Sequence, residues 1–529
     1  LISRQLIEKY RTAVQYTLVF KTISQLVGGV AAILLVRALS ETEYGLYHLL
    51  YTIIPLIGMI SSLGISNTLQ RYIPEYYRKG EYRLASTLYR TMSFLRLLSN
   101  ILILGLVLIF WETISPILKL SSYKNYFMLF TVIIFLDMHR TLLDTCLSSF
   151  FLQKYAKSIG CLFPIIRTVG YSLIIIYEKN IWYAILTDLA AYTIVFAALQ
   201  LLYHRKIPKF GGHHQFFSLT EKKRIARYAF FYNFNEAGDG LLNSYFDNFI
   251  IIMFMNHAAV GAYSFCVTMT VLIGRMLPLR YFMEVLRPAL FSTYSVNNNE
   301  DSSQFFQHTI KIHSIFTFPC FFFLLIYGRD LIMVFFQGKF VDHVPVLCTI
   351  FFFFEVMTFP VGLIAQLKEK ADIVFYSKLF AVYNLIADIV LINFFGLLGA
   401  AFATGTAILG KKCFIWWFIR KNASFQGMGG FYLKITGFWS VSAALFFATC
   451  QMIPHPWARL LVGVLGFSTA FFLQFKCRYF NEREKYFWFQ FFDCKPRVLC
   501  VLKHLHLLPQ EKNAPVSIQD KCTWKKRSS

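Results

Sequence analysis

The sequence predicts an all-α polytopic membrane protein with about fourteen transmembrane helices. Three observations lead there. Apolar runs of roughly 20 residues recur from one end of the chain to the other, the length that crosses a bilayer as helix. Only 15% of the 529 residues are charged while 57% are hydrophobic, against ~25% charged in soluble domains. No region shows the ~10-residue apolar/polar alternation of a membrane β-barrel. The mean hydropathy of +0.52 agrees.

In chain order, the first six apolar stretches lie near 12–36, 45–66, 88–110, 126–149, 158–178 and 181–203. The next six lie near 228–254, 258–280, 308–327, 343–366, 373–396 and 398–418, and a final pair near 432–451 and 457–475. The first run is too long for a signal-peptide core and lacks a small-residue cleavage site, so it is expected to remain as a span. Lys and Arg gather on alternate connections. Arg4, Lys9 and Arg11, then Arg71, Arg78, Lys79 and Arg83, then Lys154 and Lys157, then Lys222, Lys223 and Arg224 lie on one side. The other side holds little beyond Arg37, Lys119, Lys179, Arg329, Lys339 and Arg459. This alternation places both termini in the cytoplasm and requires an even number of spans. It also accounts for the net charge of +24 without a nucleic-acid partner.

The longest interior connection, around 204–224, contains Pro208, Gly211 and Gly212 and marks a boundary between halves. The expected organisation is a six-helix bundle at 1–210, a cytoplasmic linker at 211–225 and a second six-helix bundle at 226–421. Helices thirteen and fourteen follow at 430–476, and a basic cytoplasmic tail at 477–529. Within the tail, 479–508 alternates charge with aromatic bulk and reads as an interfacial amphipathic helix. Beyond Pro509 the polar end reads as disordered. The eleven cysteines contain no CxxC pair and read as small apolar residues. His204, His213 and His214 near the central connection read as solvated loop rather than a zinc site.

An internal repeat supports the division. The segment starting at Gly45 and the one starting at Gly261 align without gaps at an offset of 216. Identities fall at Gly45/Gly261, Tyr47/Tyr263, Thr52/Thr268, Leu56/Leu272, Ile57/Ile273, Gly58/Gly274, Leu63/Leu279 and Arg71/Arg287. Composition alone would give about two or three. Each unit holds six spans, so the copies share one orientation and a substrate path belongs between them.

The seventh span is unusual. Glu236, Asp239, Asn243 and Asp247 recur at intervals of three, four and four, a single polar stripe on a helix of bilayer length. Further charges lie deep in other spans: Lys21, Arg96, Asp137, Arg140, Asp144, Arg167, Arg275 and Glu355. At such depth each costs ~2.5–3.5 kcal/mol on insertion scales, so these groups are expected to face the bundle interior and to pair.

The stretch "LSETEYGLYHLL" at 39–50, followed by "LGISNTLQRYIPEYYRKGE" at 63–81, resembles the opening of the polysaccharide transporter (O-antigen-type flippase) family. That family sits in the superfamily that also holds the multidrug/toxin extruders and the lipid II flippase. Glu43, Tyr44, Gly45 and Tyr47 match its turn into span two, and Gly64, Arg71, Tyr72, Pro74, Glu75 and Tyr76 match the stretch closing it. The resemblance covers essentially the whole chain and implies two pseudo-symmetric six-helix bundles around a central cavity, plus two extra C-terminal helices. It implies no enzyme but a flippase of the cytoplasmic membrane. The cargo would be an oligosaccharide on polyprenyl pyrophosphate, moved by alternating access for surface polysaccharide biosynthesis. A lipid II-type flippase and a cation-coupled multidrug antiporter are the alternatives.

On that reading the stripe of span seven faces the cavity. Lys21, Arg275 and Arg167 receive the pyrophosphate through charge-assisted hydrogen bonds. Glu236, Asp239 and Asp247 bind sugar hydroxyls or carry a coupling proton or Na⁺; Asn243, Glu355 and Asp137 complete the cavity candidates. The competing reading makes the charges interhelical ion pairs, for example Asp137 or Asp144 with Arg140 or Arg167. No cofactor beyond coupling H⁺ or Na⁺ is expected. Partners are the lipid-linked substrate, membrane lipids, and a polysaccharide polymerase and glycosyltransferases. A membrane glycosyltransferase would need a sizeable extramembrane catalytic loop, and the outer loops are too short. There is no nucleotide-binding loop.

Overall fold

The computed structural model describes residues 4–207, 217–240, 245–277, 299–368, 370–477 and 479. Every regular element among the described residues is helical, and twelve segments are long and apolar enough to cross a membrane. The chain is a multi-pass α-helical membrane protein. Large apolar side chains such as Phe94, Leu102, Ile109 and Phe394 stay exposed on the spans, as a lipid-facing surface requires.

In chain order the first helices are α1 (Arg4–Ala38), α2 (Glu41–Ser61), α3 (Ile65–Arg78), α4 (Tyr82–Ile109), α5 (Trp111–Ile117) and α6 (Lys124–Ser149). Then come α7 (Gln153–Gly160), α8 (Leu162–Ile176), α9 (Ile181–Lys206), α10 (Leu219–Gly240), α11 (Tyr245–Phe254) and α12 (His257–Met276). The remainder are α13 (Asn299–Phe336), α14 (Val344–Phe351), α15 (Val361–Leu367), α16 (Ala371–Tyr376), α17 (Phe380–Ile419), α18 (Gly429–Gln451) and α19 (Pro456–Leu473).

Two local features separate twelve long segments from about fourteen predicted spans. The segment Asp372–Ile419 counts once, yet Gly396 interrupts α17 with φ 57° and ψ −134°, a backbone that only glycine adopts without strain. The chain then doubles back, because Tyr383 and Thr406, 23 residues apart, are hydrogen-bonded at 3.2 Å. On a straight helix they would lie ~35 Å apart. The predicted seventh span forms α10 and α11, and residues 241–244 between them lie outside the described residues. The tail helix predicted at 479–508 also lies outside them, apart from Tyr479, as do Pro208, Gly211 and Gly212.

The chain divides into two compact units. One comprises residues 1–275 with 335–350 and 375–411; the other comprises 276–334, 351–374 and 412–529. In the first unit, α2 begins with a capping box. The Ser40 hydroxyl accepts from the Glu43 N–H at 3.3 Å, and the Glu43 carboxylate accepts from the Ser40 N–H at 2.9 Å. At the other side of that turn Lys339 caps α1, donating to the carbonyls of Val36, Arg37 and Leu39 at 2.8, 3.2 and 2.6 Å. Gly45 of α2 meets α12 without side chains intervening. A methyl on Gly45 would collide with the His257 carbonyl, and one on Gly261 would lie 2.7 Å from the Glu41 carbonyl oxygen.

The short α3 caps the basic end of this unit. Leu69 and Ile73 drop into a core with Ala85 of α4, Leu143 and Leu147 of α6 and Val195 of α9, all fully buried. On its outer face Glu75 accepts from Arg71 at 3.2 Å, Lys79 at 3.1 Å and, from α10, Arg224 at 2.9 Å. The Arg224 guanidinium also lies over the Tyr72 ring at 5.0 Å.

In the second unit α18 and α19 pack on α13. Trp439 is fully buried, stacks on Phe467 and donates its indole N–H to Gln474 at 3.1 Å. Arg459 pairs with Asp330 at 2.8 Å. Residues Phe352–Val356 form a π-helical turn whose freed backbone is used: the Glu355 carbonyl meets His313 Nε2 at 2.7 Å.

Candidate functional site

Two buried polar clusters occupy the first unit. The first is built on Asp247 of α11. Its carboxyl is 0% exposed and accepts from the Tyr263 hydroxyl of α12 at 2.5 Å. From α17 it accepts the Thr404 hydroxyl at 2.7 Å and the Asn384 amide at 3.4 Å. One turn after Asn384, Asp388 is also 0% exposed, and among the described residues no donor reaches either of its oxygens. The group it faces is the Asp247 carboxyl, within hydrogen-bonding reach once a proton lies between them. The Asn384 carbonyl oxygen is buried and unmatched as well. Two carboxyls, an amide oxygen and two hydroxyls thus converge with no basic side chain in the set. In an apolar interior such a group requires a proton or a cation for neutrality. The adjacent Asn248 ties the helices together, donating to Thr52 of α2 at 2.9 Å and accepting from Ser264 of α12 at 3.2 Å.

The second cluster centres on Asp188 of α9, also 0% exposed. It accepts from Tyr47 and Tyr51 of α2 at 2.6 and 2.5 Å and from Tyr171 of α8 at 2.6 Å. Arg167 of α8 pairs with it at 2.8 Å. The same guanidinium donates to the Tyr171 hydroxyl at 2.8 Å and to Tyr47, and lies over the rings of Phe163 and Tyr51. This cluster supplies its own cation.

The sequence-predicted residues are distributed as follows. Asp247 stands at the centre of the first cluster. Glu236 and Asp239 belong to α10, but their side chains lie outside the described ones, and Asn243 lies outside the described residues altogether. Arg167 sits in the second cluster, paired with Asp188 rather than with Asp137 or Asp144. Asp137 pairs with Arg140 one turn away at 2.7 Å, and Asp144 with Lys157 of α7 at 2.7 Å. Lys21 is half-buried on α1, and Arg275 is exposed at the end of α12. Glu355 is buried in the π-helical turn of the second unit. Sequence reasoning passed over Asp188, Asn384, Asp388 and Thr404. The available signal was the four-residue spacing of Asn384 and Asp388, one helical face inside an otherwise apolar run.

Helices long enough to cross a membrane many times, with acid clusters buried between them, define a polytopic α-helical membrane protein with charge inside its bundle. The fold is similar to lipid II flippase MurJ in an inward closed conformation over 87% of this chain and 98% of that one, with a TM-score of 0.68 at 12% identity. It is similar to an inward-facing multidrug resistance MATE family transporter over 76% and 97% of the two chains, with a TM-score of 0.62 at 14% identity. In sequence, an uncharacterized membrane protein of Methanocaldococcus jannaschii is 23% identical over 419 residues, 74% of this chain and 80% of that one. The chain belongs to the polysaccharide biosynthesis protein family, whose model matches residues 12–294.

Proposed function

We propose that the chain moves a saccharide carried on polyprenyl pyrophosphate from the cytoplasmic to the outer leaflet, by alternating access and in exchange for H⁺ or Na⁺. The glycan and pyrophosphate need a wet, polar route while the lipid tail stays in hydrocarbon. The observation that carries the coupling is the Asp247 cluster. Two carboxyls, with hydroxyl and amide groups around them and no basic side chain, form a set that a hard cation or a shared proton neutralises. Among the described residues no three His, Cys, Asp or Glu side chains converge on one point.

The architecture that goes with this reading is fourteen helices in two six-span copies, 1–210 and 226–421, with 430–476 added. The break at Gly396, the two-piece seventh span and the reciprocal contact of Gly45 with Gly261 support it. Lys21 and Arg275 are assigned to the pyrophosphate, and Glu236, Asp239 and Asn243 to sugar hydroxyls. Arg167 is the third candidate for the headgroup and is paired with Asp188 at 2.8 Å.

Two cargoes of one chemical class compete. The family description supports a polysaccharide precursor, and the likeness to the lipid II flippase along nearly the whole of that chain supports a peptidoglycan-type precursor. The likeness to a multidrug transporter supports the more distant reading of a cation–drug exchanger. Proteoliposomes holding a labelled lipid-linked oligosaccharide, labelled lipid II or a cationic dye, under an imposed Na⁺ or pH gradient, separate the three. The proposal requires gradient-dependent movement of a lipid-linked saccharide. Movement of the dye alone would defeat it.

A further inference from the structure

We infer that α4 carries a binding site for an anionic phospholipid with two acyl chains and a hydroxyl-bearing headgroup, centred on Arg90. The inference does not depend on the cargo or on the coupling ion. Two cavities flank α4. One, of about 460 Å³, lies between α4, α6 and α9, with Ser86, Ser93, His139 and Tyr203 in its wall. The other, of about 790 Å³, lies between α4, the α2–α3 junction and α10, with Leu95, Lys222, Phe230 and Asn233 in its wall. Arg90 and Phe94, one turn apart, line both. A single guanidinium therefore stands where two grooves meet, as the phosphate of a two-chain lipid requires.

The first cavity is built for a polar guest. Ser86 and His139 are 7% and 9% exposed, and the Ser86 hydroxyl and His139 Nε2 have no partner among the described residues. A buried polar atom left unmatched costs ~1–3 kcal/mol, so each marks a place where a ligand atom is wanted. The other His139 nitrogen faces the Phe135 carbonyl at 3.1 Å. That nitrogen carries the proton in a neutral ring, so Nε2 accepts and calls for a hydroxyl. The Ser86 hydroxyl donates and calls for a phosphate oxygen. Arg90 hydrogen-bonds the Tyr203 hydroxyl, which holds it toward this cavity. Its fork has five N–H donors, enough to serve a phosphate as well.

The second cavity is mainly apolar, with Lys222 at its rim. The apolar side chains bordering the two grooves are left open to the surroundings: Phe94 is 63% exposed and Phe230 60%. Arg90 lies eight residues into α4, ~12 Å along the axis from Tyr82. It shares that end with Lys79, Arg83 and the His204–Lys206 terminus of α9, the basic end of the unit. Basic pockets between spanning helices on the cytoplasmic side suit anionic headgroups.

The test uses the purified full chain, stripped of lipid in detergent and titrated with phosphatidylglycerol or phosphatidylcholine while native mass spectrometry counts bound molecules. Phosphatidylglycerol is expected to bind at least ~10-fold more tightly, and Arg90→Gln to lose that margin while Arg83→Gln keeps it. Should Arg90→Gln not fold, Ser86→Ala takes its place, with an expected several-fold loss. Equal binding of the two lipids by the unaltered chain overturns the inference, as does an unchanged affinity in both variants. Displacement by inorganic phosphate as readily as by lipid shows an anion site only and overturns it too. Stoichiometric displacement by polyprenyl pyrophosphate assigns the site to the cargo, with the same consequence.

Discussion

Gly45 and Gly261 lie backbone to backbone, and their contact is reciprocal. A methyl on Gly45 would meet the carbonyl of His257, four residues before Gly261; a methyl on Gly261 would meet the carbonyl of Glu41, four residues before Gly45. The two glycines are the first identity of the repeat suggested by the sequence. Neither backbone can rotate aside. Gly45→Ala and Gly261→Ala are each expected to cost upwards of ~1–3 kcal/mol, the range for overpacking a filled interior. Thermal unfolding of the purified chain would register this, and an unchanged melting temperature for both would mean the helices do not meet here.

Tyr47 and Tyr263, also equivalent in the repeat, each donate to a buried carboxylate, Asp188 and Asp247 respectively. One site contains Arg167 and the other holds no basic side chain, so removing a partner has different consequences. Arg167→Met leaves Asp188 buried without its cation and is expected to destabilise by ~3–5 kcal/mol. Arg167→Met with Asp188→Asn, which removes the unpaired charge but keeps polar partners for the three tyrosine hydroxyls, should recover part of that loss. A double variant no more stable than the single one would show that the pair does not act as a unit.

For the Asp247 site the expected signature is ligand-linked stability. If Na⁺ is the coupling ion, raising it to 100 times its dissociation constant adds ~2.7 kcal/mol to the folded state. Asp247→Asn and Asp388→Asn should each abolish the rise in melting temperature between choline and sodium buffers, with protein levels in the membrane unchanged. No sodium effect in the unaltered chain, together with a pH-driven flux, would assign the site to protons instead.

Glu75 provides a pH dependence outside the spans. Burial pushes its carboxyl up, but hydrogen bonds from Arg224 and Lys79 outweigh that and hold it below the usual range. A carboxyl lowered on folding contributes stability above its unfolded value, ~4.3, and the contribution disappears as pH falls through the lower folded value. The melting-temperature gap between the unaltered chain and Glu75→Gln should therefore be full at about pH 6 and close on acidification. It should also shrink in high salt, since Arg71, Lys79 and Arg224 are about half exposed. A gap that persists unchanged to pH 3 would remove Glu75 from this role.

The family motif around 39–50 becomes intelligible at this level. Ser40 and Glu43 start the helix, Gly45 admits α12, and Tyr47 reaches Asp188. Serine followed three residues later by glutamate is a local signature and can be read from sequence. A glycine needed for close approach, or a tyrosine needed by an acid 141 residues away, cannot.

What the amino-acid sequence determined unaided is the membrane class and the helical character of the chain. These follow from short-range averages: apolar runs long enough to cross a bilayer, with few charges inside them. The choice of partners belonged to tertiary structure. Asp137 and Arg140, three residues apart, were legible because helical spacing alone brings them together. Asp247 acquired Asn384 and Thr404 only when α17 folded back at Gly396 and packed against α11, and Arg167 found Asp188 only because α8 lies beside α9. An apolar helix states that it will be buried in lipid or protein. Which other helix it faces depends on fitting side chains in three dimensions, and no window along the chain contains that information.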